Sequence, residues 1–413
     1  MTPLRFCMVT TFYPPYHFGG DAMYIYRLSH ALARRGHTVD VLHDRDAYHL
    51  ARPGEPSQRF ADHPHVRVTA MKSPFGALSP LLTQQTARPL LKPEVGRRLR
   101  DGGYDVVHFH NMSLIGSTAL GLGGGVKLYT THEHWLVCPM HVLWKFDREP
   151  CDAPQCLACT LHGRRPPQLW RYTGRLARDL AHVNRLLSPS RFTRQRHVDA
   201  GVERPITVLP YFVPDPPPAE AGMSGPVPQK IAPASEGGRT KPYFLYAGRL
   251  VKLKGVDTLI RAFRRYPDAD LVIVGDGEER DALQALAAGM PNVEFAGAKD
   301  QAALAGLYRD AIALVMPSIG YEVFGIVLIE AFAQKTPVIV RRLGGMPEAV
   351  EDSGGGLLFS MEDELIDAMR RLQQSPALRQ ELGERGHRGY LAHWSEAPHL
   401  ERYLAIVAEE RGR

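Results

Sequence analysis

Short apolar runs alternate along the chain with segments whose apolar positions recur every three or four residues. That alternation predicts parallel strands covered by helices on both faces. In the first half, residues 4–10 (LRFCMVT) read as a strand. The loop TFYPPYHFGG leads from it into a helix, DAMYIYRLSHALARRG, which Gly36 stops. Residues 37–43, 104–110 and 126–132 read as further strands, with 185–190 another candidate. The segment 169–187 (LWRYTGRLARDLAHVNRLL) keeps apolar residues at helical spacing among arginines and reads as a basic amphipathic helix.

Residues 210–240 lose all periodicity and are rich in Pro, Ala, Gly and Ser, the composition of an interdomain linker. A second alternation starts at residue 241. Its predicted strands lie at 241–250, 270–277, 292–297, 313–318, 337–342 and 355–359, with helices around 256–266, 278–288, 300–309 and 325–334. Residues 378–394 and 398–412 read as helices. The expected architecture is α/β: two doubly wound, Rossmann-like domains, 1–209 and 241–390, facing a central cleft across the linker. A C-terminal helix within 391–413 is expected to pack back on the first domain. Ligands of such sheets bind beyond the carboxyl ends of the strands.

Composition narrows the classes. With 44% hydrophobic and 23% charged residues, the chain of 413 is an ordinary globular sequence, not a disordered, collagenous or membrane-embedded one. No run of 18 apolar residues is present, as a membrane span would need. Fifty basic against 44 acidic residues give a net charge of +6, too mild over this length to imply a nucleic-acid partner. The first residues lack the apolar core of a signal peptide, so a reducing cytoplasm is the expected compartment.

Candidate chemistry is densest in the second half. The strand ending at Gly248-Arg249 and the loop that brings Lys254 and Gly255 to a helix start combine two cations with a helix N-terminus. That is an anion site, or else two surface cations on a loop. Gly275-Asp276-Gly277 follows a buried strand and permits close backbone approach, a weak signal by itself. The sharpest feature is Glu322-Val-Phe-Gly-Ile-Val-Leu-Ile-Glu330. Glu330 sits among apolar residues of a helix, where a carboxylate needs partners. Glu322 precedes the helix, where Phe324 and Gly325 present free N–H groups. Eight helical residues span about 12 Å, beyond the roughly 5–9.5 Å of a glycosidase pair. Two separate binding roles fit better than a hydrolytic pair.

The pieces AGRLVKLKG, VGDGEER, FAGAKDQAALAGLYRDA, MPSIGYEVFGIVLIEAFAQKTPVIV and GGMPEAV, in this order, closely resemble the retaining, nucleotide-sugar glycosyltransferases of family four, whose fold is GT-B. TTFYPPYHFGG, THEHW and SPSRFTR extend the resemblance over the first half. The resemblance implies that Arg249 and Lys254 hold the donor diphosphate and Glu330 the ribose hydroxyls. Glu322, with the N–H groups of Phe324 and Gly325, would hold the sugar or its phosphate. Gly20 would let backbone approach the diphosphate, Gly275 would line the donor site, and Ala298 would lie against the base. His132 would face the sugar, where the plain alternative is a loop histidine packed on Trp135. Arg341 and Arg342 depart from the family pattern before Gly344-Gly345.

The implied reaction moves a sugar from a UDP- or GDP-sugar to a saccharide or lipid-linked acceptor hydroxyl, with retention and no catalytic cofactor. Cations replace a metal, because no Asp-x-Asp pair is identified in the loops expected at the cleft. An epimerase of the same architecture and an inactive sugar-nucleotide binder are the competing readings.

Two features lie outside the signature motifs. Residues 162–204 hold ten Arg against three acids, which leaves open a peripheral contact with the inner membrane face, or simply a helix packed on its own sheet. Cys138, Cys151, Cys156 and Cys159, spaced C-x12-C-x4-C-x2-C within an insertion at 132–160, suit a structural zinc. An iron–sulfur cluster, free thiols or disulfides are the alternatives.

Overall fold

The computed structural model describes residues 2–215 and 241–413. Contacts divide the chain into two units: residues up to Tyr211 together with Glu396–Arg413, and Phe212–Ser395. Most of the predicted linker lies outside the described residues. Its first residues are packed, with Tyr211, Phe212 and Val213 buried.

The first unit is built on β1 (Arg5–Thr10), β2 (Thr38–Asp44), β3 (Val66–Met71), β4 (Val106–Phe109) and β5 (Val126–Thr130). A short antiparallel hairpin, β6 (Trp144–Lys145) and β7 (Glu149–Pro150), follows. β8 (Arg185–Ser188) and β9 (Ile206–Val208) complete the sheet. Its order is β3-β2-β1-β4-β5-β8-β9, with every pair parallel. The second unit has β10 (Tyr243–Ala247), β11 (Asp270–Val274), β12 (Val293–Gly297), β13 (Leu314–Met316), β14 (Val338–Arg341) and β15 (Gly356–Phe359), ordered β12-β11-β10-β13-β14-β15 and again all parallel.

Strands covered on both faces read as continuous apolar runs, and β10, with all five residues buried, is such a run. In each sheet the chain order reverses beside the first strand, between β1 and β4 and between β10 and β13. Those switch points are where doubly wound sheets open a crevice.

The C-terminal helix Glu396–Arg411 belongs to the first unit. Arg185 donates to Glu410 at 2.7 Å and Glu409 at 2.8 Å, and Tyr403 stacks on His108 with ring centres 5.5 Å apart. No helix among the described residues is long and apolar enough to cross a membrane.

The expected helix over 169–187 is not continuous. A 3-10 turn, Leu169–Thr173, is followed by Gly174 at φ 66°, a short helix Arg175–Leu180, and then β8. The left-handed glycine breaks the helical path. Trp170, Leu180, Val183 and Leu186 join the core of the first unit together with Val9 and Phe109. The segment's apolar periodicity thus records burial against its own sheet.

Candidate active site

At the second unit's switch point, β10 ends and the chain passes through Gly248 and exposed Arg249 to a 3-10 turn, Lys252–Lys254. Gly255 closes that turn at φ 63°, and a Cβ there would stand 2.5 Å from the Pro317 carbonyl oxygen. Glycine alone permits both the conformation and the approach. The loop after β10 therefore presses on the loop after β13 and brings Lys254 against Glu322, with Nζ and Oε1 2.6 Å apart. Their side chains are 17% and 20% exposed, so the pair sits at the mouth of the crevice. Ser318 Oγ donates to the same Oε1 at 3.1 Å. Burial raises the Tyr246 phenol pKa, the Glu322 charge raises it further, and Arg249 opposes this. Arg249, Lys254 and Glu322 thus converge on one small region.

Neighbouring loops complete the crevice. Gly275 follows β11 at φ 141°, and a Cβ on it would fall 1.8 Å from the Gly248 carbonyl oxygen. Its N–H donates to Gly297 at 3.0 Å, which sets exposed Ala298 one strand farther out. Phe324 is buried, and Gly325 caps the helix Ile326–Ala333. Glu330, half-buried on that helix, accepts from Tyr308 Oη at 3.3 Å. The Glu322 carbonyl accepts from Gly345 N–H at 2.8 Å. Arg341, the departure noted in the sequence, is committed to the scaffold. It donates to the Pro317 and Ser360 carbonyls at 3.0 and 2.9 Å and lies 4.9 Å above the Phe359 ring.

In the first unit, Gly20 opens the helix Gly20–Arg34 and is exposed. His132 is buried, and its partners are not Trp135. Its Nδ1 lies 2.8 Å from Tyr211 Oη and its Nε2 2.8 Å from His110 Nδ1. Burial pulls the His132 pKa down to about 4, with Asp21 and Glu133 acting against it. The ring is therefore neutral at neutral pH, held in a buried Tyr–His–His chain.

His110 was missed by sequence reasoning although a signal existed: β4 and β5 are adjacent strands, and each is followed at its carboxyl end by a histidine. Ser318, Tyr308 and Tyr211 were also missed, and only tertiary contact reveals them. An Asp-x-Asp pair passed over in the sequence stands at the end of β2. Asp44 and Asp46 are buried there as partners of Lys92, whose Nζ lies 3.1 Å from Asp46 and closer still to Asp44. Asp268 and Asp270 share the spacing but lie at the amino end of β11.

The structure does not support the expected zinc. Among the described residues no group of three or more His, Cys, Asp or Glu is placed to hold a metal ion, and all five cysteines are free. The four clustered thiols are neighbours: burial, then Cys138, Cys156 and Cys159, push the Cys151 thiol up to about 11. The insertion owes its order to packing. Trp135, Leu136, Leu143 and Trp144 are buried, Phe146 N–H donates to Cys159 Sγ at 3.5 Å, and Arg171, which contacts both the Trp135 and Trp170 rings, donates to the Trp135 carbonyl at 2.8 Å. Packing orders this segment despite its prolines and weak periodicity.

Two all-parallel, doubly wound sheets in one chain, the second carrying a cation–carboxylate cluster at its switch point, define a Rossmann-like protein. Residues 18–215 match the family described as Glycosyltransferase Family 4, and residues 229–389 the family described as Glycosyl transferases group 1. The chain belongs to these group 1, family-four glycosyltransferases. It is similar to the lipopolysaccharide core biosynthesis glycosyltransferase LpsE of Rhizobium meliloti, 33% identical over 174 residues, 41% of this chain and 50% of that one. It is likewise similar to a D-inositol 3-phosphate glycosyltransferase of Arthrobacter sp., 38% identical over 156 residues, 35% and 37% of the two chains. The chain thus spans half or less of the length of these curated relatives.

Among solved structures, sucrose-phosphate synthase from Thermosynechococcus elongatus aligns with TM-score 0.72 at 22% identity, covering 98% of this chain and 100% of that one. Anabaena HepE in complex with UDP and glucose aligns with TM-score 0.67 at 16% identity and the same coverage. At these identities the likeness is one of fold, and the fold is GT-B.

Proposed function

We propose that the chain transfers a glycosyl group from a nucleoside-diphosphate sugar to a hydroxyl of a saccharide or lipid-linked acceptor, with retention and without a catalytic metal. The observation that carries this reading is the Lys254–Glu322 pair beside Arg249 at the switch point. Arg249 and Lys254 would hold the diphosphate, Glu330 the ribose hydroxyls, and Ala298 would lie against the base. Glu322 and the N–H groups of Phe324 and Gly325 would hold the sugar or its phosphate, with Gly20 and Gly275 permitting close backbone approach. His132, neutral and buried, would face the sugar. HepE, a fold neighbour, was solved with UDP-glucose, which supports a nucleotide-sugar donor.

In the reaction, the bond from the anomeric carbon to the phosphate oxygen breaks and a bond to the acceptor oxygen forms on the same face. The acceptor proton passes to the departing phosphate. Two fixed cations and a helix N-terminus stabilise the charge that develops there, and preorganised donors of this kind need no rearrangement during the step. The test is turnover with UDP-, GDP- and ADP-sugars on simple acceptors in the presence of EDTA, with the product anomer read by NMR. Retained configuration and EDTA-resistant turnover support the reading. Inversion, or complete loss restored by Mg²⁺, would overturn its retaining or metal-free part respectively.

A further inference from the structure

Three buried side chains of the first unit stand in line beyond the carboxyl ends of its strands. His110 follows β4, His132 follows β5 and Tyr211 follows β9. His110 N–H donates to the Val9 carbonyl at 2.9 Å and His132 N–H to the Thr130 carbonyl at 3.0 Å, so both histidines are anchored at the backbone. β4 and β5 are neighbours, with Phe109 beside Tyr129, and this register brings the two imidazoles together. Their ring centres are 5.1 Å apart, and the Tyr211 ring also stacks on His132, at 5.4 Å.

Each ring nitrogen of His132 has a neighbour in this line. Tyr211 Oη lies 2.8 Å from Nδ1, and His110 Nδ1 lies 2.8 Å from Nε2. Burial keeps all three groups uncharged at neutral pH, lowering both imidazole pKa values and raising that of the phenol. A neutral imidazole carries one N–H and one lone pair, so the line donates in one direction at a time. If Tyr211 O–H donates to His132 Nδ1, then His132 donates from Nε2 to His110 Nδ1. If His110 donates from Nδ1, then His132 accepts at Nε2 and donates from Nδ1 to the Tyr211 oxygen. In either case the nitrogen of His110 that bears the proton decides which nitrogen of His132 bears one.

A packing role does not account for His110. Its Nε2 is buried with no hydrogen-bond partner among the described residues. The adjacent His108 ring, 4.0 Å away between centres, has its own nitrogens beside Tyr403 Oη and Thr130 Oγ1. A buried polar atom left in this way costs stability that an apolar ring of similar size would not. The contact made by Nδ1 gives the imidazole its reason to be there.

We infer that His110 is a positioning residue for glycosyl transfer: through Nδ1 it holds the ring of His132 in one orientation and one tautomer against the sugar. The inference rests on the transfer reaction proposed above. A ring free to turn would present the sugar with a different edge from one turnover to the next, whereas a held ring is preorganised.

The shapes of two amides provide the test. The amide of asparagine occupies the place of histidine Nδ1, whereas that of glutamine reaches the place of Nε2. His110→Asn should therefore keep the contact with His132, and His110→Gln should lose it. The first readout needs no substrate. In chain labelled with nitrogen-15 in its histidine rings, the His132 signals are identified by their loss in His132→Gln. The parent and His110→Asn should each show one protonated and one bare nitrogen on His132, and His110→Gln the averaged signals of a tautomer mixture. The second readout is nucleoside-diphosphate release from UDP-, GDP- and ADP-sugars. His110→Gln should lower kcat by about tenfold or more with donor KM within about threefold, and His110→Asn should restore kcat to within about threefold of the parent. If His110→Gln fails to fold, His110→Phe replaces it, because it keeps a ring in place and removes both nitrogens. It should melt no lower than the parent and lose kcat equally. The inference is overturned if His132 keeps a single tautomer in His110→Gln or His110→Phe, or if the Asn variant loses as much kcat as these. If the parent turns over none of the sugars, the transfer reading is what fails, and the nitrogen spectra alone decide whether His110 holds His132.

Discussion

Replacing Lys254 with alanine removes the charge that the fold delivers most deliberately to the switch point. In the structure its Nζ lies 2.6 Å from Glu322 Oε1 with both side chains mostly covered. The pair is still open to water, so its loss should cost stability only about 0.2–1 kcal/mol. For a unit of this size that lowers Tm by no more than about 4 °C. The effect on a bound diphosphate is larger. A unit charge about 4 Å from another is worth roughly 4 kcal/mol at an effective dielectric constant of about 20, and the Glu322 counter-charge offsets part of it. The expected loss in kcat/KM is roughly 10²–10³-fold, or about 2.7–4 kcal/mol. The assay is nucleoside-diphosphate release at several donor concentrations, with a melting curve on the same sample. Lys254→Arg should recover part of the loss. An alanine variant within about threefold of the parent, melting normally, would show that Lys254 does not hold the leaving group.

Buried neutral histidines should make the first unit acid-labile. Burial lowers His43 and His132 to about 4 and His134 and His399 to about 3, so below about pH 6.5 the unfolded chain takes up protons that the folded one refuses. Stability is untouched above that pH and falls as pH drops toward the folded values. One such histidine at about 4 costs roughly 2 kcal/mol at pH 5, and equal urea midpoints at pH 7.5 and pH 5 would contradict this. Cys156→Ser should leave the fold of the insertion intact and the purified protein without stoichiometric zinc. Elemental analysis with far-UV circular dichroism checks both, and one zinc per chain lost together with that fold would restore the metal reading.

The second unit was the more legible in sequence because its buried strands are uninterrupted apolar runs ending at glycines, as in β10 with Gly248 and β11 with Gly275. β3 was missed for the opposite reason. It is an edge strand whose four middle residues are partly or fully exposed, and only its two end residues are buried. Segment 169–187 was misread as one continuous helix because Gly174 was overlooked, whereas its packing on its own sheet was one of the two readings offered. The approach of Lys254 to Glu322 was implied by family pattern alone, since 68 residues separate them in sequence. Their meeting depends on Gly255 fitting under Pro317, a fact of packing. The cysteine spacing suggested a metal because spacing carries no information on the tryptophans and Arg171 that order the loop.

The claim on which the account rests is that the second unit binds a nucleoside diphosphate, and thermal unfolding with UDP, GDP and ADP compounds tests it most directly. A ligand at 100 times its Kd stabilises by about 2.7 kcal/mol, which should raise the melting temperature of the second unit by roughly 5–10 °C. The account predicts that at least one nucleoside diphosphate or its sugar does this, that the matching monophosphate does far less, and that the shift disappears in Lys254→Ala. No shift with any of them at millimolar concentration, or an equal shift in the Lys254→Ala variant, would contradict it.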